Sequence, residues 1–473
     1  MPRTCLRAAV RALLTVALVA GCSGSDGGQG PREGRADTKR PSTPSAPAPP
    51  SAPAGLTDAY ACRGGFTCGR FTVPLDRSNP AAGTLPLQVA VETDPDAPRG
   101  VLVALNGGPG AAGAPLAAEL VERLGPEVVA AYRLVALDQR GTGPTALRCP
   151  ALQRAMGSSF VPPRRAVVAC AESIGPARAA YGTDDVVADL DDLRQALGVP
   201  KWSLFAVSYG TFVAQQYAVA HPAAAAALVL DSPVPLAGVD TVQADVMRAS
   251  RRVLRAACAE SPRCSGDPVA DLATVVRRER NGTELLELLA GMSSVRPSYD
   301  SLLAALPQAR QGDQRALDRL LEAYRTGFAT TPEVFSAGLH ASAFCADQRF
   351  PWGRSDAPED RRAAAVRRAV AGYSDADLYP FDRATALDGS AVEECLPWPR
   401  TEPSKLSLRG PLPDVPVLVL LGDRDLAAPR ESVEDDAAAG VPGARVEVVK
   451  GAGHVVTARP GRGRATVQDF LLR

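Results

Sequence analysis

The chain has 473 residues, enough for one large or two ordinary domains. Its 52 basic and 52 acidic side chains cancel, so nothing in the charge balance calls for a nucleic-acid partner. Alanine is abundant and aromatics make up only 5%, which reads as genome composition rather than function.

Arg3, Arg7 and Arg11 precede an apolar run, Ala12 to Ala20, that is too short to span a bilayer. The run ends Leu18-Val19-Ala20-Gly21-Cys22, which resembles a bacterial lipobox. A leader over 1–21, cleavage before Cys22 and lipid on its thiol are therefore expected, placing the protein outside the cytoplasm, membrane-anchored or secreted. Residues 22–55 are rich in Pro, Ser, Gly and Ala and are expected to be a disordered tether. Of the ten cysteines, Cys5 leaves with the leader and Cys22 takes the lipid. The others lie in couples: Cys62 with Cys68, Cys149 with Cys170, Cys258 with Cys264 and, more distantly, Cys345 with Cys395. They are expected to form four disulfides of an exported protein. The couples lack the His neighbours and repeated Cys-x-x-Cys spacing of a metal site, so neither metal nor cofactor is expected.

Strand-like alternation in Phe71–Asp76 and Leu85–Val91 suggests an entry hairpin. Val101–Leu105 and Arg133–Leu137 are continuous apolar runs, the pattern of strands buried on both faces. The first runs into Asn106-Gly107-Gly108-Pro109-Gly110, the second into Asp138-Gln139-Arg140-Gly141-Thr142-Gly143. A helix from Thr183 to Leu197 precedes the strand Trp202–Ala206, a turn at Val207-Ser208, a helix from Tyr209, and the strand Ala227–Leu230. From 233 to 403 no buried strand is evident. Helical segments follow one another instead: Val239–Ala259, Pro268–Arg280, Glu284–Ala290, Tyr299–Ala309, Gln314–Phe328, Pro332–Ala346 and Pro358–Gly372. Strand signals return at Val415–Leu421 and Arg445–Lys450, with a helix from Arg430 between them and an amphipathic helix, Arg464–Leu472, at the end. Strands alternating with helices predict a doubly wound, mostly parallel sheet, with core segments at 56–232 and 404–473 and a helical cap inserted at 233–403.

Three loops carry the chemistry. Ala206-Val207-Ser208-Tyr209-Gly210 has small residues on both sides of a serine at a strand-to-helix turn, which presents the hydroxyl clear of the sheet. Taken alone, such a serine is also a common helix N-cap. The chain has only three histidines. His221 ends a helix, His340 lies within the cap, and His454 follows a strand in Gly451-Ala452-Gly453-His454, where glycines let the backbone present the ring. Asp423 and Asp425 compete as the acid; the spacing after Gly422 and before Pro429 selects Asp425 and leaves Asp423 to brace the loop. Ser208 would then be the nucleophile, His454 its base and Asp425 the carboxylate orienting the imidazole. The N–H groups of Gly108 and Tyr209 are the expected oxyanion donors. Arg140 is expected to tie loops together beneath the site.

Gly-Gly-Pro-Gly (107–110), Asp-Gln-Arg-Gly-Thr-Gly (138–143), Val-Ser-Tyr-Gly-Thr (207–211), Gly-x-x-Asp-x-x-x-Pro (422–429) and Gly-x-Gly-His (451–454) occur in that order. From about Cys62 onward the chain resembles the secreted tripeptidyl aminopeptidases and proline iminopeptidases, serine exopeptidases of the α/β-hydrolase fold. The resemblance implies release of short peptides or single residues from free peptide N-termini through an acyl-enzyme on Ser208. It also implies an acid in the cap that receives the substrate's ammonium. Asp347 is the first candidate, with Glu393 and Glu394 behind it; bracing of the Cys345 region is the other role open to Asp347. Three positions depart from the family pattern. Ala206 stands for the first Gly of the turn, Asn106 for a His often found before Gly-Gly-Pro-Gly, and Ala428 for a Thr whose hydroxyl could support the acid. An esterase or other small-molecule hydrolase on the same sheet is the alternative, and a catalytically dead surface-binding lipoprotein a more distant one.

Overall fold

The continuous apolar runs become the middle of one sheet. In the computed structural model, which describes residues 53–92, 96–402, 411–433 and 443–473, nine strands lie side by side. The expected leader, Cys22, the tether as far as residue 52, the expected boundary at 403/404 and the continuation of the helix from Arg430 beyond 433 lie outside the described residues. The strands are β1 (Thr57–Ala61), β2 (Phe66–Pro74), β3 (Thr84–Glu92), β4 (Val101–Leu105), β5 (Arg133–Leu137), β6 (Trp202–Val207), β7 (Ala225–Asp231), β8 (Val417–Gly422) and β9 (Arg445–Val449). Their order is β1-β2-β3-β5-β4-β6-β7-β8-β9. The first three strands pair antiparallel and β3 joins β5 antiparallel; every later pairing is parallel. Alternate side chains feed opposite layers, as a pleated strand requires. Val101, Val103, Leu105, Leu204 and Ala206 pack with the helix Tyr209–Ala220. Leu102, Ala104, Phe205 and Val207 pack with Val467 and Leu471 of the final helix, Arg462–Leu472.

The order in which strands are added reverses at β4, which has β5 on one side and β6 on the other. In open parallel sheets the crevice at such a switch, beyond the strands' C-terminal ends, is where ligands bind. Register makes this concrete: Leu105 pairs with Ala206, Val207 with Asp231 and Asp231 with Leu420, so the loops that follow these strands emerge together.

Among the described residues, every regular element between β7 and β8 is a helix. All seven expected helical segments are present, with shorter helices after them ending at Cys395. One start differs in a way that bears on the site. The helix expected from Pro332 begins at Ala337, where the Ser336 hydroxyl caps it by accepting Leu339 N–H. The residues before it are drawn into an extended bridge: Ala112 N–H donates to Val334 O and Ser336 N–H to Gly110 O. The insertion has its own apolar core, built from residues such as Met247, Leu272, Leu286, Leu289, Leu303 and Leu306, and this core takes in Leu426 from the loop after β8.

All four expected disulfides are present, Cys62–Cys68, Cys149–Cys170, Cys258–Cys264 and Cys345–Cys395. Arg140, fully buried, does tie loops together. It donates to both oxygens of Asp189 and to the carbonyls of Pro74, Leu75 and Ala180.

Candidate active site

Ser208 stands between β6 and the helix Tyr209–Ala220 with φ 53° and ψ −128°, a left-handed conformation that a serine adopts only where its surroundings impose it. Those surroundings are visible. Its N–H donates to Asp231 O at 2.9 Å, and its carbonyl accepts the Thr211 hydroxyl at 2.5 Å. The small residues of the turn follow from close approach. A Cβ on Gly210 would lie 2.6 Å from Leu105 O, and one on Gly107 would lie 2.7 Å from the Ser208 Cβ. The Gly-Gly loop after β4 therefore runs directly past the serine.

The structure brings Ser208, His454 and Asp425 together. His454 Nε2 is 2.8 Å from Ser208 Oγ, and His454 Nδ1 is 2.8 Å from Asp425 Oδ2. Asp425 is fully buried, and its other oxygen accepts the N–H groups of Ala427 and Ala428 at 2.8 and 2.9 Å. The support that Asp425 receives from position 428 is thus a backbone N–H, which does not depend on a hydroxyl there. Asp423 faces elsewhere and accepts Gly451 N–H at 2.6 Å, bracing the acid loop against the base loop. Burial alone would hold the His454 imidazole below its ordinary pKa. The charge and hydrogen bond of Asp425, with Asp231 beyond, outweigh that and leave it raised.

Two residues that the sequence reading did not single out hold the base loop from the sheet side. Asp231, buried at the end of β7, accepts Val456 N–H at 2.8 Å, Thr457 N–H at 2.9 Å and the Thr457 hydroxyl at 2.5 Å. Ser232 Oγ accepts Val455 N–H at 2.8 Å. A carboxylate ending a buried strand at the sheet's active edge was the signal available for Asp231.

Of the expected oxyanion donors, Tyr209 follows Ser208 directly, and Gly108 follows Gly107, whose Cβ position abuts the Ser208 side chain. Tyr209 opens its helix, so its N–H has no carbonyl a turn earlier to bond. Gly108 has φ 114° and lies under the Phe335 ring, which a Cβ would approach to 3.2 Å. Asn106 shapes this loop from inside: its Oδ1 accepts Gly107 N–H at 2.9 Å, and its Nδ2 donates to Ala112 O at 2.7 Å. Gln139 Nε2 donates to Asn106 O at 3.0 Å, which gives the 138–143 motif a supporting place.

Of the three acids considered for an ammonium, Asp347 is occupied by Thr183 and Tyr209. Its carboxylate accepts Thr183 N–H, the Thr183 hydroxyl at 2.7 Å and the Tyr209 hydroxyl at 2.8 Å. Burial lifts this carboxyl to about 7 against those hydrogen bonds. Its contacts are those of a brace, and what it braces is Thr183 and the residue after Ser208 rather than the Cys345 region. Glu393 and Glu394 diverge although adjacent. The surrounding charges that act on Glu393 are Asp388 and Arg164. Glu394 lies 3.3 Å from His340 Nε2, and His340 Nδ1 is 3.1 Å from Pro109 O in the Gly-Gly-Pro-Gly loop. Glu287 joins this group. It takes bonds from Ser390 and from Gln243 Nε2, and burial, with Glu394's charge adding to it, holds its carboxyl above the usual range. An acid set between Leu286 and Leu288 in the apolar stretch of Gly282–Met292 was the sequence sign of it. For His340 burial pulls the pKa down, and Glu394 more than reverses this.

A family model described as the alpha/beta hydrolase fold matches residues 100–457, most of the chain, and the chain belongs to that family. Serine protease Hip1 of Mycobacterium tuberculosis is 29% identical over 204 residues, 39% of this chain and 39% of that protein. The proline iminopeptidase of Neisseria meningitidis is 34% identical over 134 residues, 28% of this chain and 33% of its own length. Tripeptidyl aminopeptidase of Streptomyces lividans is 29% identical over 188 residues, 35% of each chain. The matched stretch thus spans about two fifths or less of the length of these curated relatives.

Proposed function

We propose that this protein is a serine exopeptidase that removes short peptides or single residues from free peptide N-termini. The observation that carries the reading is the chain of two 2.8 Å hydrogen bonds from Ser208 through His454 to Asp425, beside a Gly-Gly loop. In the first step His454 Nε2 takes the Ser208 proton as Oγ attacks the scissile carbonyl. Negative charge on the former carbonyl oxygen is met by the N–H groups of Gly108 and Tyr209, donors fixed in place before the reaction. The imidazolium, steadied by Asp425, then protonates the leaving amine. Water activated by His454 releases the acyl group from Ser208.

The preference for a free N-terminus rests on Glu394 and Glu287. They are two carboxylates with one imidazole between the helical insertion and Pro109, a group suited to a substrate ammonium. The test compares aminoacyl- and tripeptidyl-nitroanilides with their N-acetylated counterparts and with uncharged esters. Free-amine substrates are expected to be preferred, and Glu394→Gln to raise KM for them about 10- to 100-fold, the loss of one charge-assisted bond, without affecting uncharged esters. Equal or better turnover of blocked peptides or esters would instead favour the small-molecule hydrolase.

We propose further that Cys22 carries the anchoring lipid. The intact mass of protein recovered from membranes should then correspond to a chain starting at Cys22 with added acyl groups; an unmodified Cys22 in that mature chain refutes the anchor.

A further inference from the structure

We infer that Ser293, a residue of the helical insertion, is a positioning residue that sets the acid loop and the base loop in register with each other. Ser293 ends the helix Gly282–Met292 and is fully buried. Its hydroxyl donates to Ala290 O at 2.6 Å and accepts Leu426 N–H, next to Asp425, at 2.9 Å. Its carbonyl accepts the N–H of His454 itself at 2.9 Å. One serine thus bonds the backbone of the base and that of the residue following the acid, from an element more than a hundred positions away in the chain.

The packing around it agrees. Leu426 has its side chain in the insertion's core, so the acid loop is held there by both an apolar contact and a hydrogen bond. Gly453, just before His454, meets the same turn. A Cβ there would lie 2.0 Å from Ser293 O, 2.5 Å from Pro297 Cγ and 2.8 Å from Ser294 O. The glycine before the histidine is therefore required by the insertion's approach, while Gly451, with φ 71°, supplies the turn. Asp231 and Ser232 hold the residues after His454 from the sheet side. Ser293 holds His454 from the opposite element, and Tyr299 adds a bond from its hydroxyl to Arg424 O at 3.2 Å. Proton transfer between Ser208 and His454 depends on sub-ångström placement, so a group that fixes the His454 backbone relative to Asp425 acts on the chemical step without touching substrate.

The inference rests on the acyl-transfer reading above, and its test separates the two. Ser208 is labelled with a fluorophosphonate, which reports nucleophile activation and is indifferent to peptide preference; kcat and KM are measured on the best nitroanilide. Ser293→Ala keeps the carbonyl bond to His454 but frees the acid loop at Leu426 from it, and is expected to slow labelling and kcat together by about 10²-fold, with KM within about threefold of wild type. Thermal melting confirms that the variant is folded. Should Ser293→Ala fail to fold, Ser293→Cys keeps the side chain's size with a weak sulfur acceptor and carries the same expectation. A folded variant that labels at the wild-type rate, or whose KM rises while kcat holds, overturns the role given to Ser293. A wild-type protein that takes no label removes the acyl-transfer reading and this inference with it.

Discussion

Ser208→Ala is expected to lower turnover of every substrate the wild type cleaves by about 10⁶-fold, the scale on which losing the nucleophile of such a triad is felt. The fold should survive it. Among the described residues the Ser208 side chain bonds only His454, whereas the turn is held by the backbone of Ser208, through Asp231 O and the Thr211 hydroxyl. Alanine meets the same backbone strain at φ 53° as serine does, so melting should shift by no more than about 1–2 °C, the equivalent of ~1 kcal/mol in a fold of this size. Steady-state assays with a melting curve decide the matter. Turnover that persists in a folded Ser208→Ala protein would end the acyl-enzyme mechanism.

Asp425→Asn should cost about 10⁴-fold in kcat and also change the pH profile. The sign follows from the forces on His454. As general base the ring must be neutral, so kcat/KM rises with pH through its pKa. In the wild type burial lowers that pKa, but Asp425, by charge and hydrogen bond, raises it above the ordinary value. Asparagine removes the larger raising influence and leaves burial opposed only by the lesser pull of Asp231. The acidic limb of kcat/KM should therefore lie above about pH 6.5 in the wild type and move to lower pH in the variant. The backbone donors of Ala427 and Ala428 can still bond the asparagine oxygen, so the loop is retained. A limb that stays put while activity falls would mean that Asp425 does not set the base's charge.

The chemistry-bearing loops were legible in the sequence because each is locally over-determined. Ser208 needs small neighbours where Gly210 meets Leu105 O, and Asp425 sits in a spacing that returns two backbone N–H groups to its own carboxylate. The strands beneath them were equally plain: Val101–Leu105 and Arg133–Leu137 have the bounds their apolar runs suggested. What the sequence hid are functions set by distant partners. For Asp347 an ammonium site and a bracing role both stayed open, because Thr183 and Tyr209, which occupy it, lie 164 and 138 residues away. His340 was read as an ordinary helical histidine because nothing near it in the chain announces Pro109. Ser293 carries no motif at all. The helix start at Ala337 was misplaced for the same reason, since Val334–Ser336 are held extended by the Gly110–Ala112 loop, a partner no local propensity records.

The insertion shares more than hydrogen bonds with the sheet's own helices. Leu152 and Val167, from the helices Pro150–Met156 and Arg164–Ile174 on the sheet side, form one apolar cluster with Ala337, Ala341, Phe350 and Trp398 of the insertion. The Cys149–Cys170 and Cys345–Cys395 bridges lie inside it, one on each side of the seam. A roof fastened along such a seam does not swing clear as a unit, because doing so would expose that whole cluster to water. Any widening above Ser208 then has to come from local segments of the roof rather than from its lifting as one piece.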